Sequence, residues 1–212
     1  GVDFDKRPDQ AAVAKDNPAA PPTGPQTDGS RAPAAPWGGD VGIKNWKWPR
    51  LDATAAEANA LEQAFKQKFA KAAVIKATGS TVSRQLFMAS AQGAGYLHFA
   101  THGYWVRDLG GDGEAVRAFA PMSLCGLVLS GANTMEESTG FLGVITGEEI
   151  AGLDLSKCGL AVLSCCESYL GESRTGHGLA SLQGALHAAG ARVVIAARWK
   201  IPDEASKQLM QI

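Results

Sequence analysis

Leu160-Ala-Val-Leu-Ser-Cys-Cys-Glu-Ser168 is the stretch on which the fold turns. It opens as a short, continuous apolar run of the kind carried by a strand buried on both faces. It closes on two cysteines and a glutamate, which core packing gives no reason to place there. Glycines at 171, 176 and 178 follow, ahead of a helical pattern. In an α/β sheet, reactive groups sit where strands open into loops at their carboxyl ends. A second run, Tyr96-Leu-His-Phe-Ala-Thr-His-Gly103, has the same shape and ends in His102 and Gly103. If neighbouring parallel strands deliver Cys166 and His102 to one sheet edge, they form a thiol–imidazole pair, the arrangement of an activated nucleophile.

Around these two runs the chain has 212 residues, of which 45% are hydrophobic, enough for one sizeable core and a single domain. The 20 basic and 21 acidic residues leave a formal charge of −1. That balance lacks the basic excess expected of a partner for nucleic acid or an anionic membrane surface. The longest apolar runs, Cys125–Leu129 and Val193–Ala197, are too short to span a bilayer. No charged-then-apolar segment of the signal-peptide type opens the chain. Cys125, Cys158, Cys165 and Cys166 follow no secreted-scaffold spacing. Adjacent cysteines pair with each other only under strain, so reduced thiols in a cytoplasmic setting are expected. His98, His102, His177 and the cysteine pair could be counted as zinc donors, but their spacing matches no common zinc pattern. No metal or cofactor is expected.

In chain order, Asp9 to Asp40 consists mainly of Ala, Pro, Gly, Asp and Ser, which cannot bury enough apolar surface to offset ordering entropy. Thr54-Ala-Ala-Glu57 reads as a capping box opening a helix from about Ala55 to Ala70, with Leu61, Phe65 and Phe69 as its apolar stripe. Ala73–Ala77 reads as a short strand and Gly79-Ser80-Thr81 as a turn and cap. A second helix then runs through Leu86, Phe87 and Ala91. After the His102 strand, Asp108–Ala118 is a glycine-rich, charged loop able to cover a site. Leu124–Leu129 is a strand and Phe141–Ile145 a short strand or bend, while Thr146-Gly-Glu-Glu149 opens a short helix. Past the Cys166 strand, a helix is expected from about Gly178 to Ala189, with Leu179, Leu182 and Leu186 on one face and Gly190 as its stop. Arg192–Trp199 is another buried strand, and Asp203-Glu204 begins a last helix after Pro202. Helices alternating with short apolar strands imply an α/β fold with a mostly parallel central sheet.

Each candidate residue also has a plain structural role available. A buried cysteine is commonly an inert small hydrophobe, and strand alternation makes Cys165 and Cys166 face opposite ways. His102 reads either as a strand-end histidine exposed to solvent or as the partner of a thiolate. His98, four residues earlier, reads as a satisfied core histidine. Glu167 is either a solvated carboxylate or one that orients the site, and His177 lies in a loop between glycines. Gly103 lets backbone approach a substrate closely. Its N–H and that of Cys166 are natural donors to a developing oxyanion.

Several spaced motifs then fall in one order. His98-Phe-Ala-Thr-His-Gly103, Leu127-Val-Leu-Ser-Gly-Ala-Asn133, Thr146-Gly-Glu-Glu-Ile-Ala-Gly-Leu-Asp154 and Leu163-Ser-Cys-Cys-Glu-Ser168 come first. Gly176-x-Gly178-Leu179 and Gly190-Ala-Arg, with Trp199 and Pro202-Asp203 beyond, complete the set. Together, from about Pro49 onward, they resemble the CHAT domain, a caspase-like cysteine protease family related to separase and often found with tetratricopeptide repeats.

The resemblance implies a caspase-like three-layer α/β/α sandwich and a cysteine endopeptidase with His102 and Cys166 as its catalytic dyad. A protein or peptide is the implied substrate, and a tetratricopeptide-repeat or other regulatory domain is an expected partner. It implies too that residues 8–45 are a Pro/Ala/Gly-rich flexible insertion within one domain spanning 1–212, and that the chain is truncated at both ends. Cys165 replaces the family's usual alanine, His177 its usual glutamate, and Arg198-Trp-Lys200 is more basic than usual. Asp203, Trp199 and Glu167 are the implied substrate contacts. Asp203 favours a basic residue before the scissile bond, whereas Arg198 or Lys200 would favour an acidic one; the basic preference is the expectation. Two other functions fit the same motifs: a catalytically silent interaction domain that binds a partner segment, and a thiol hydrolase or acyltransferase acting on a non-peptide substrate.

Overall fold

The computed structural model describes residues 2–8, 47–105, 121–134, 143–165, 172–174, 178–197 and 202–210. Residues 9–45 of the expected insertion, the loop 108–118, and Cys166, Glu167, His177, Arg198, Trp199 and Lys200 lie outside these residues.

The chain is α/β. Helices α1 (Thr54–Lys68) and α2 (Arg84–Ala91) precede strands β1 (Tyr96–Ala100), β2 (Gly103–Trp105), β3 (Cys125–Val128) and β4 (Val144–Thr146). Helix α3 (Gly147–Ala151), strand β5 (Leu160–Ser164), the hairpin β6 (Glu172–Arg174) and β7 (Gly178–Ala180), helix α4 (Leu182–Ala188), strand β8 (Val194–Ala196) and helix α5 (Asp203–Leu209) complete the order. The two runs that opened the sequence reading pair directly. β1 and β5 are parallel, with Ala100 opposite Ser164, and β8 joins the other side of β5 in the order β1-β5-β8.

The parallel arrangement does not extend to every strand. β2, β3 and β4 form a separate antiparallel sheet, and β6 pairs antiparallel with β7. The strand expected around 124–129 and the strand or bend expected around 141–145 therefore lie in the antiparallel sheet, as β3 and β4. Gly126 allows this sheet to close tightly. A Cβ there would lie 2.6 Å from the Tyr104 hydroxyl.

Alternation along the parallel strands divides their side chains between two faces. Leu97, Phe99, Ala161, Leu163, Val194 and Ala196 turn toward the main core, with Ala91 of α2, Ile150 of α3 and Leu182, Ala185 and Leu186 of α4. Leu127, Ile145, Ile150, Leu155, Leu163, Leu182 and Leu186 are fully buried there. Each contributes about 1.5–3 kcal/mol relative to exposure. The opposite face meets α1 where His98 reaches Glu57, and α5 where the Ser164 and Ser206 hydroxyls lie 2.5 Å apart.

Four local expectations are corrected. Helix α1 begins at Thr54 with Ala53 as its N-cap. Thr54 Oγ1 donates to the Leu51 carbonyl and Glu57 is fully buried, so neither side chain forms the expected capping box. The Ala53 N–H is met instead by the Asp203 carboxylate from α5, 2.7 Å away, an acidic group at a helix N-terminus supplied through tertiary structure. Ala73–Ala77 is not a strand; pairing in this region is a single bridge between Gly79 and Val2. Helix α2 is capped by Ser83, whose side chain accepts from the Leu86 N–H, rather than at Gly79–Thr81. Gly178–Ala180 is strand β7 and α4 starts only at Leu182. Ser181 accepts the Gly184 N–H, which ends the strand and caps the helix in one residue. The short helix after Thr146 forms as expected, with a complete capping box between Thr146 and Glu149.

Candidate active site

His102 lies two residues past the end of β1, where the chain leaves its parallel partner β5 and turns into the antiparallel pairing with β3. Two bonds to Val128 fix this turn. The Thr101 hydroxyl donates to the Val128 carbonyl at 2.6 Å, and the Val128 N–H donates to the His102 carbonyl at 2.9 Å. An antiparallel ladder alternates bonded and non-bonded pairs, so the Gly103–Leu127 pair is non-bonded and the Gly103 N–H is directed away from β3.

The imidazole is held on three sides. Its Nε2 lies 2.7 Å from the carbonyl oxygen of Pro49. A carbonyl can only accept, so Nε2 carries the proton and the neutral ring has its lone pair on Nδ1. The ring of Phe4 lies 5.1 Å from the imidazole centroid and that of Trp48 lies 5.5 Å from it, both tilted. Phe4 and Trp48 are themselves buried with Val2, Tyr104, Leu124, Val128, Ala132 and Val144 in a second, smaller core. His102 thus lies against an aromatic wall built of segments far apart in sequence.

Cys165 is buried in the main core at 6% exposure, so it takes the packing position of the cysteine pair. Cys166 and Glu167 lie outside the described residues. Burial pushes the Cys125 thiol up to about 12 and raises that of Cys158, so both stay protonated near neutral pH. His98 is the partly buried core histidine it was expected to be, 2.7 Å from Glu57 Oε1. Asp203 stands half-buried at the start of α5 on the Ala53 N–H. The segment Pro49–Ala53 therefore touches His102 at one end and Asp203 at the other.

Pro49 escapes sequence reasoning because its contribution is a backbone carbonyl, which no side-chain pattern encodes. Phe4 and Trp48 carry no spacing signal either, being separated by the length of the intervening segment. Among the described residues, no group of three or more His, Cys, Asp or Glu is placed to hold a metal ion. No helix of the described residues is long and apolar enough to cross a membrane.

No curated protein and no solved structure matches the chain. A family model described as the CHAT domain matches residues 4–212, a span that takes in the Phe4 wall, the His102 turn and the β5 strand alike. The chain belongs to the CHAT domain family, which is related to the caspase-like cysteine proteases.

Proposed function

We propose that the chain is a cysteine endopeptidase in which His102 and Cys166 form the dyad. The observation that carries this reading is the β1–β5 register. Ala100 faces Ser164, so the two strands end together at one carboxyl edge, and in sequence each candidate comes two residues after the last residue of its strand. Cys165 takes the core side, so alternation favours the opposite side for Cys166. In the proposed reaction, Nδ1 of His102 accepts the Cys166 thiol proton and the thiolate adds to a substrate carbonyl carbon. The N–H groups of Gly103 and Cys166 stabilise the resulting oxyanion. Its collapse breaks the C–N bond, the imidazolium returns the proton to the leaving amine, and water then hydrolyses the thioester with His102 as base. The Pro49 carbonyl supports this assignment by holding the Nε2–H tautomer that leaves Nδ1 basic.

The fuller caspase-like three-layer sandwich is part of the same proposal, supported by the helices that meet both faces of the parallel sheet. So is a single domain spanning 1–212 with residues 8–45 as an insertion, supported by Val2 and Phe4 packing in one small core with Trp48. Substrate contacts are assigned to Asp203, Trp199 and Glu167, with a preference for a basic residue before the scissile bond. The substrate is a partner protein, acted on in a cytoplasmic setting and under control of a repeat or other regulatory domain. The test is an electrophile carried on a peptide. Wild type and Cys165→Ala are expected to be labelled, while Cys166→Ala and His102→Ala are not. Labelling that survives His102→Ala removes the dyad. A chain that neither labels nor cleaves any member of a peptide library, yet binds a peptide, is an interaction domain instead.

A further inference from the structure

The turn after β3, Ser130-Gly-Ala-Asn-Thr134, lies in one of the motifs that set the family resemblance, and the dyad gives it no task. Its bonds converge on the two segments that wall in His102. The Ser130 hydroxyl donates to the Lys6 carbonyl at 2.6 Å, the Gly131 N–H to the Asp3 carbonyl at 3.0 Å, and the Asn133 N–H to the Phe4 carbonyl at 2.8 Å. The Asn133 side chain then reaches across to the other segment. Its Oδ1 accepts the Trp48 N–H at 2.8 Å, while its Nδ2 donates to the Trp48 carbonyl at 3.1 Å and to Asp5 Oδ1 at 2.9 Å.

Trp48 precedes Pro49, and the peptide unit whose carbonyl Asn133 holds is the one that bonds Trp48 to Pro49. An amide that grips both the N–H and the C=O of one residue fixes that residue's backbone orientation, which a single bond does not. We propose that Asn133 is a positioning residue for His102: it clasps the Trp48 backbone and so aims the Pro49 carbonyl that selects the Nε2–H tautomer. The same side chain ties the Phe4–Asp5 segment to the Trp48–Pro49 segment, so one residue closes the wall around the imidazole. The consequence for catalysis rests on the dyad reading above; the consequence for the ring itself does not.

The test therefore reads the ring directly. In the full chain with ¹⁵N-labelled histidine, the His102 signal is assigned by its loss in His102→Asn. Wild type is expected to show the Nε2–H tautomer. Asn133→Ala is expected to shift the ring toward a mixture of tautomers, and to lower kcat/KM about 10- to 100-fold, chiefly in kcat, as small misplacements of catalytic groups do. Asn133→Asp keeps the size and the acceptor for the Trp48 N–H but loses both donors and faces Asp5. Adding Asp5→Asn to that variant restores the bond between the two side chains, but not the donor to the Trp48 carbonyl. The double variant is expected to fold as wild type does and still show the tautomer mixture. An unchanged His102 tautomer in folded Asn133→Ala overturns the proposal. Full recovery of the wild-type ring signal in the double variant also overturns it, because the Trp48 clasp would then be dispensable. If wild type itself fails to label at Cys166, the protease reading falls while the ring signals still decide the role of Asn133.

Discussion

Glu57 and His98 meet 2.7 Å apart between α1 and β1, with the glutamate fully buried and the histidine side chain 23% exposed. The second carboxylate oxygen, Oε2, is buried with no hydrogen-bond partner among the described residues. A buried carboxylate is tolerable only with a partner, so the two ends of this bond are unequal. Removing the histidine leaves the carboxylate alone in the interior, whereas replacing the acid with its amide preserves the acceptor that His98 needs. His98→Ala is expected to cost about 3–5 kcal/mol, and Glu57→Gln about 1 kcal/mol or less. Urea unfolding of both variants checks the order. Equal losses would mean the bond adds nothing beyond packing.

Gly190 ends α4 with φ at +107°, and a Cβ at this position would sit 3.0 Å from the Ser156 N. The helix must stop here because the Ala191 N–H turns back to the Leu186 carbonyl and the Leu155 N–H binds the Ala189 carbonyl, steering the chain toward β8. Gly190→Ala combines left-handed strain with backbone crowding and is expected to cost about 1–3 kcal/mol. In a chain of this size that lowers Tm by about 2–4 °C for each kcal/mol. Thermal unfolding followed by circular dichroism gives the value. A variant as stable as wild type would show that the turn relaxes without penalty.

The strands that frame the site were legible because both are short apolar runs ending in reactive residues, and parallel pairing needs little more than that. Leu182, Leu186 and the Gly190 stop were legible for a similar reason, as a helical period with a terminator. Two of the misreadings share one cause. Thr54 and Glu57 have the spacing of a capping box, but His98 lies across the interface and draws Glu57 inward, and Asp203 caps the helix from α5. Gly178–Ala180 has a helix-compatible pattern, yet pairing with Glu172–Arg174 makes it a strand. In each case a partner outside the local pattern, on another element or on the facing strand of a hairpin, decided between local alternatives of similar energy. The wall around His102 was illegible for that reason too, since Phe4, Trp48 and the Pro49 carbonyl come together around the ring only in the folded chain.

Glu149 closes the capping box with Thr146 and pairs with the Arg84 guanidinium from α2. Burial raises its carboxyl pKa, but the bonds from Arg84 and the Thr146 N–H outweigh that and hold it below the usual carboxylate range. A carboxyl with a folded-state pKa below its unfolded one contributes stability that is fully present above the unfolded value, about 4.3 for glutamate. That contribution drains as pH falls through the folded value, because the unfolded chain takes up the proton first. Glu149→Gln is therefore expected to be less stable than wild type at pH 7, with the gap narrowing as pH falls from about 5 toward 3. Urea unfolding at several pH values measures it. A gap that stays constant with pH would assign the loss to packing rather than to charge.

Asp203 offers a way to separate structure from specificity in one residue. Its Oδ2 accepts the Ala53 N–H, so part of its value is that of a helix cap delivered from α5. Asparagine caps as well as aspartate does, while alanine loses about 0.5–2 kcal/mol at such a position. The proposed recognition of a basic side chain depends instead on the negative charge, which the amide lacks. Asp203→Asn is thus expected to keep nearly wild-type stability and lose the preference for Arg or Lys before the scissile bond. Asp203→Ala is expected to lose both. A cleavage profile over a peptide library, run beside thermal unfolding, reads the two effects independently. If Asp203→Asn keeps the basic preference, Asp203 serves only as the cap of α1, and the residue that reads the substrate lies elsewhere on the chain.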